Sequence, residues 1–224
     1  ADANSVAAAV ENAGGQIGGL DVIVNNAGFA IPGKIAELRT SAFEEMLAVN
    51  YLGAVHVTRA ALPRLVEQGS GAIVNVSSML GFMGLFGYGA YAASKFALAG
   101  FTECLRAEVA LHGIRVSIVY APTTATPGLE RENRIKPAET WVLESGSRQF
   151  SPETVAEAIL GGVAAGRYEI LVRGDSRWIW RAYRFAPGIV RWWLDRTLRG
   201  ILVKAPRNGE PPAASGPDAP RGRA

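Results

Sequence analysis

Three β-branched runs, "LDVIVNNAG", "GAIVNVSS" and "IRVSIVYAP", recur along the chain, and a stretch with helical spacing precedes each one. Strands that alternate with helices of this length lie parallel and are joined by right-handed crossovers. The sequence therefore predicts an α/β fold built on a doubly wound parallel sheet. The first helix is expected over residues 3–17, "ANSVAAAVENAGGQI", and a single long one over 40–68, with Thr40 or Ser41 as N-cap and Glu44 placed for a capping box. A third helix opens at "YAASK" and stops at Gly113; "SPETVAEAILGGVAAG" adds a fourth capped by Ser151, and "YEILVRG" a further strand.

With 224 residues, 49% of them hydrophobic, the chain can bury one sizeable core but is too short for two full domains. The one cysteine, Cys104, has no internal disulfide partner, which fits a reducing compartment, and reads as a small buried helix residue. No signal peptide is visible, nor is there an uninterrupted apolar run of about 18 residues, the length of a conventional membrane span. His56 and His112 have no Cys or carboxylate neighbours at ligand spacing, so no metal site is expected. The chain opens at Ala1 in mid-pattern and reads as truncated at its N-terminus.

Ligands of such sheets sit at the carboxyl ends of the strands. Those ends are "NNAG", "SSMLG" and "YAPTTATPG", three polar loops that should converge on one crevice. Nearby, Tyr91 and Lys95 are four residues apart and share a helix face. A phenol titrates near about 10, and an adjacent ammonium favours its ionised form, so the pair suits proton transfer to a carbonyl oxygen. Ser78, at the end of the preceding strand, could hold the same oxygen as charge develops. Taken alone, Tyr-x-x-x-Lys is weak evidence and reads more simply as a surface pair on an amphipathic helix.

The motifs "NNAG", Asn50 within a helix, "NVSS" and "YAASK" occur in that order, each on the element where it is needed. In this the chain resembles the short-chain dehydrogenase/reductase family, whose fold is Rossmann-like. The resemblance implies a catalytic tetrad of Asn50, Ser78, Tyr91 and Lys95, with Tyr91 as general acid and Asn50 holding a water on the proton path. Ser77 is expected to bond its own strand. The implied cofactor is NADPH/NADP, with NADH left open, held by Asn26, Ala27, Gly28, Tyr91, Lys95, Ala121 and Thr126. The family's glycine-rich first turn is not found in this sequence, which predicts poor cofactor binding.

The stretch "YAPTTATPGLERENRIKPAET" is similar to the branch of the family that reduces 3-oxosphinganine, but that branch's two aspartates are replaced here by Thr123 and Ala125. A lipid-like ketone substrate, a homodimer or homotetramer, and a cytoplasmic, peripherally membrane-associated location are what this likeness implies. Another lipid or steroid substrate stays open, as does a non-catalytic membrane-associated protein that keeps the fold. Within "LERENRIK" the charges read most simply as solvated, with Arg131, Asn133 or Arg134 as candidate contacts for a polar substrate head.

The catalytic domain is expected over 1–176. Residues 177–204 then carry seven basic side chains against Asp195, with four of the five tryptophans interleaved. The preferred reading is an amphipathic helical hairpin, broken at Pro187-Gly188, lying on a bilayer surface. A helix capping the substrate pocket or a subunit partner is the second reading. Nucleic-acid binding has only the basic stripe behind it and is not expected. The Pro-, Gly- and Ala-rich stretch 205–224 is expected to be a disordered tail.

Overall fold

A computed structural model describes residues 2–172 and 174–204; the expected tail at 205–224 lies outside them. Helix α1 (Ala3–Ile17) leads into β1 (Val22–Asn25), α2 (Thr40–Leu47) and α3 (Gly53–Gln68) into β2 (Gly71–Ser78), and α4 (Gly89–Glu108) into β3 (Ile114–Ala121). After them come α5 (Pro127–Ile135), α6 (Ala138–Glu144), α7 (Pro152–Ala164), β4 (Glu169–Leu171), α8 (Asp175–Phe185) and α9 (Pro187–Lys204). All strand pairs are parallel and their order is β1-β2-β3-β4, the Rossmann-like sheet with helices that the alternation predicts.

Both faces of β2 are covered, which is why its sequence shows no polar alternation. On one face Ile23, Ile73 and Val116 pack with Ala61 and Leu65 of α3 and Leu105 of α4. On the other, Val74, Val76, Val119 and Ile170 pack under Ile159 and Val163 of α7. A buried polar ladder crosses the sheet: Asn25 Nδ2 donates to Asn75 Oδ1 at 2.7 Å, and Asn75 Nδ2 to Thr102 Oγ1 at 2.9 Å. The ladder pins β1, β2 and α4 in one register, because a slipped strand would leave these buried amides unpaired.

Several expectations need correction. Thr40 is the first residue of α2 rather than its cap; Arg39 holds that position with no side-chain cap bond. The expected single helix over 40–68 is interrupted by a π-helical turn, Ala48–Leu52, with Asn50 in its middle. Cys104 is exposed, because the buried face of α4 runs through Leu98, Thr102 and Leu105 and leaves position 104 outside. Ser151 does cap α7, accepting from the Thr154 N–H. The basic C-terminal segment forms two helices that meet at Pro187, the first opening at Asp175, two residues ahead of the expected start.

Gly87, before α4, has φ of +83°, and a Cβ there would meet Thr140 Oγ1 at 2.2 Å. That hydroxyl is buried and donates to the Phe86 carbonyl, tying α6 to the start of α4. Gly87→Ala therefore combines a left-handed backbone with a displaced buried hydrogen bond and should cost about 2 kcal/mol or more. Urea denaturation should show a lowered midpoint; an unchanged midpoint would contradict the packing described.

Candidate active site

The three loops at the carboxyl ends of β1, β2 and β3 do converge. They wall a cavity of about 920 Å³ with Asn26 and Gly28, Ser78 and Met79, and Ala121 and Thr126, and the N-terminal half of α4 adds Tyr91 and Lys95. Ala27 is not among the lining residues.

Lys95 is buried, and its Nζ donates to the Val76 carbonyl of β2 at 2.8 Å while lying 5.8 Å from the centre of the Tyr91 ring. Pair and strand end are thereby locked together, with both side chains on one face of α4. Ser78 caps the short 3₁₀ turn Met79–Gly81, accepting from the Leu80 N–H at 3.2 Å, and its hydroxyl faces the Tyr91 phenol. Ser77 does not bond its own strand: its Oγ donates to the Lys95 carbonyl at 3.2 Å.

Asn50 is fully buried, and its amide is committed. Oδ1 accepts from the Phe29 N–H, and Nδ2 donates to the Phe29 carbonyl and to Ser94 Oγ, each at 2.9 Å. Ser94 Oγ in turn donates to the Tyr91 carbonyl at 2.7 Å. The Asn50 side chain keeps a second acceptor position on Oδ1 beside the Phe29 N–H bond. It ties the Gly28-Phe29 loop to the turn of α4 that carries Tyr91. The π turn supplies the local geometry, since it widens the helix and shifts its side chains relative to a regular α-helix.

The expected tuning of the phenol is also corrected. Burial pushes Tyr91 up to about 12, opposed by the Ser78 hydroxyl and assisted by the negative charge of Glu132. Burial pushes Lys95 down to about 8. Desolvation outweighs attraction within the pair because the ammonium is directed at the Val76 carbonyl and not at the phenol oxygen.

Neighbouring elements enclose the cavity. Tyr88 Oη donates to Glu132 Oε2 of α5 at 3.2 Å, and Lys34 Nζ pairs with Glu139 of α6 at 3.0 Å. Ile179 and Ala182 of α8 and Val190, Trp193 and Leu194 of α9 also line it. The pocket-capping reading of 177–204 therefore has direct structural support. Helix α8 is docked by Tyr183 against Phe82 at 5.7 Å and by Arg184 near Glu169 at 3.6 Å. Arg131 lines the cavity as a candidate head contact should, whereas Asn133 and Arg134 do not. Sequence reasoning missed Tyr88 and Glu132, which reach the site from the residue before α4 and from α5 and carry no motif of their own.

The fit of a nicotinamide group can be judged from Gly28. A Cβ there would lie 3.0 Å from Asn50 Oδ1 and 3.3 Å from Lys95 Nζ, so only glycine lets a ligand and these side chains share the space. Thr126 caps α5, accepting from the Leu129 N–H at 3.2 Å, which leaves its hydroxyl proton to offer a ligand.

Residues 1–136 match the family model described as short chain dehydrogenase. The chain belongs to the short-chain dehydrogenase family. It is 39% identical over 175 residues to mouse 3-ketodihydrosphingosine reductase, covering 78% of this chain and 53% of that protein. The Dictyostelium discoideum 3-ketodihydrosphingosine reductase is 42% identical over 162 residues, covering 71% and 48%. The chain spans about half the length of the curated relatives it matches. A Burkholderia cenocepacia short chain dehydrogenase, solved in complex with NADP, superposes with a TM-score of 0.73 at 26% identity, covering 86% of this chain and 74% of that one.

In this member of the short-chain dehydrogenase family the buried amine leaves a signature in stability. Between about pH 8, where folded Lys95 releases its proton, and about pH 10, an unfolded lysine still holds one, so stability rises with pH across that window. The parent should resist urea better near the upper end, and Lys95→Met should flatten the rise. An equal slope in both proteins would contradict the burial of this amine.

Proposed function

We propose that the protein is an NADPH-dependent reductase of a long-chain ketone, 3-oxosphinganine, which it converts to sphinganine. The observation that carries the proposal is the convergence of Ser78, Tyr91 and Lys95 on one cavity walled by apolar groups of α8 and α9. The names of the curated relatives support the substrate, and the NADP complex of the structural relative supports the cofactor.

When bound, NADPH supplies the hydride; Gly28, Lys95, Ala121 and Thr126 are the residues placed to hold its nicotinamide-ribose end, with Asn26 and Ala27 on the adjoining loop. Ser78 donates a hydrogen bond to the substrate carbonyl oxygen. Tyr91 gives that oxygen its proton, and Lys95, turned from Val76 toward the phenol, stabilises the phenolate left behind. Asn50 keeps the Gly28 loop and the Tyr91 turn in register. Tyr91→Phe should lower NADPH oxidation with 3-oxosphinganine by about a hundredfold or more while leaving the melting curve unchanged. Activity within about tenfold of the parent would refute Tyr91 as the acid. A steroid ketone in the same assay tests the alternative substrate class, and reduction of it in place of 3-oxosphinganine would overturn the assignment.

The proposal includes a peripheral seat on a membrane through 177–204. Trp178, Phe185, Ile189, Trp192 and Val203 are exposed, and Arg181, Arg184 and Arg196 stack on Trp178, Trp180 and Trp192. Rings at the headgroup level with arginines on phosphates are the pattern of an interfacial helix. Among the described residues, no helix is long and apolar enough to cross a membrane. Replacing Trp178, Trp192 and Phe185 by Ser should release the protein from anionic vesicles; unchanged co-sedimentation would reject the seat. Sedimentation of the unbound protein reads self-association, for which exposed Leu47, Leu52 and Phe96 are the support, and a monomer at all concentrations would remove it.

A further inference from the structure

The mechanism leaves one charged group in the cavity without a task. Glu132 and Glu144 are the carboxylates among the described lining residues, and their situations differ. Glu144 is paired with the buried Lys136 ammonium, which also lies 5.7 Å over the Tyr88 ring and 5.2 Å over that of Trp141. Among the described residues Glu132 is in no salt bridge, and the Lys136 charge reaches it only from a distance. It accepts from the neutral Tyr88 phenol, and Tyr88 stacks at 6.0 Å beside Tyr91. The three ionisable groups Glu132, Glu144 and Lys136 together carry one net negative charge, placed one ring away from the proton donor. Of the cationic lining residues, Arg131 and Arg148 are exposed, at the rim, whereas Lys95 is buried beside Tyr91 with its Nζ on the Val76 carbonyl.

A half-buried carboxylate beside a general acid works against it. The charge of Glu132 holds the Tyr91 proton more tightly, and its own burial favours the protonated carboxyl. Both penalties disappear if the bound substrate brings a positive charge to the gap between Glu132 and Tyr91. Ser78, Tyr91, Tyr88 and Glu132 line the same cavity, so a carbonyl oxygen held by Ser78 and Tyr91 leaves Glu132 to face one of the two carbons that flank it. Resting on the reading of this cavity as a site of ketone reduction, we propose that Glu132 is a specificity residue that binds an ammonium group on the carbon next to the reacting carbonyl, making the enzyme selective for α-amino ketones. The same contact removes the opposition to proton release only when that substrate is present.

The test is binding by titration calorimetry at neutral pH, which needs no turnover. The probes are a short amino alcohol, 2-aminooctane-1,3-diol, and octane-1,3-diol, which lacks only the amine. The parent should bind the amine at least about tenfold more tightly, as befits one charge-assisted contact. Glu132→Gln, which keeps an acceptor for Tyr88, should lose that preference while binding the diol as before. Tyr88→Phe, which removes the hydrogen bond but keeps the charge, should retain it. No preference in the parent, a preference that survives Glu132→Gln, or an equal loss in Tyr88→Phe would overturn the proposal. Failure of the reductase reading shows separately, as absence of 3-oxosphinganine-dependent NADPH oxidation by the parent.

Discussion

The site depends on a lysine buried where a lysine is costly. Lys95 gives up hydration to reach the Val76 carbonyl, and that one bond fixes the rotation of α4 against the end of β2. Because Tyr91 lies one turn earlier on the same face, the rotation that buries the amine also delivers the phenol to the cavity. Ser77 adds a second tie to the Lys95 carbonyl, and Gly81, whose Cβ would sit 2.2 Å from Ser77 Oγ, lets the chain pass close enough for it. Catalytic geometry here is a by-product of satisfying one buried donor.

Charge balance follows from the same burial. In the ligand-free protein both members of the pair are held neutral more readily than in water, since desolvation acts on each and their mutual attraction is spent elsewhere. In the proposed mechanism, proton release from Tyr91 is eased when the amine turns toward it and when the field of Glu132 is neutralised. The proposed selectivity and proton transfer would thus be coupled through electrostatics.

Much of this was legible in the sequence where the signal is local. The β-branched run 71–78 and the helix 3–17 coincide with β2 and α1, and the spacing of Tyr91 and Lys95 placed them on one face. What failed was set by tertiary contacts. The π turn at Ala48–Leu52 has no periodic signature, because it is stabilised by Asn50 reaching back to Phe29. The side chain of Cys104 points outward because packing by Leu98, Thr102 and Leu105 sets the phase of α4. The charge of Glu132 looked solvated within "LERENRIK", yet its partner Tyr88 is 44 residues earlier in the chain. The high proton affinity of Tyr91 was missed because adjacency suggested attraction, whereas burial decided the outcome.

The central claim is that the Tyr91 phenol is a buried, tightly protonated acid before any ligand arrives. Ultraviolet difference titration of the parent against Tyr91→Phe isolates this one phenol. The account predicts that it is still largely protonated at about pH 11, above the ordinary tyrosine value of about 10, with its midpoint near 12. Saturating NADP, judged by quenching of tryptophan fluorescence, should displace that midpoint downward. A phenol already ionised at about pH 10 without ligand, or one whose midpoint does not move when the dinucleotide binds, would contradict it.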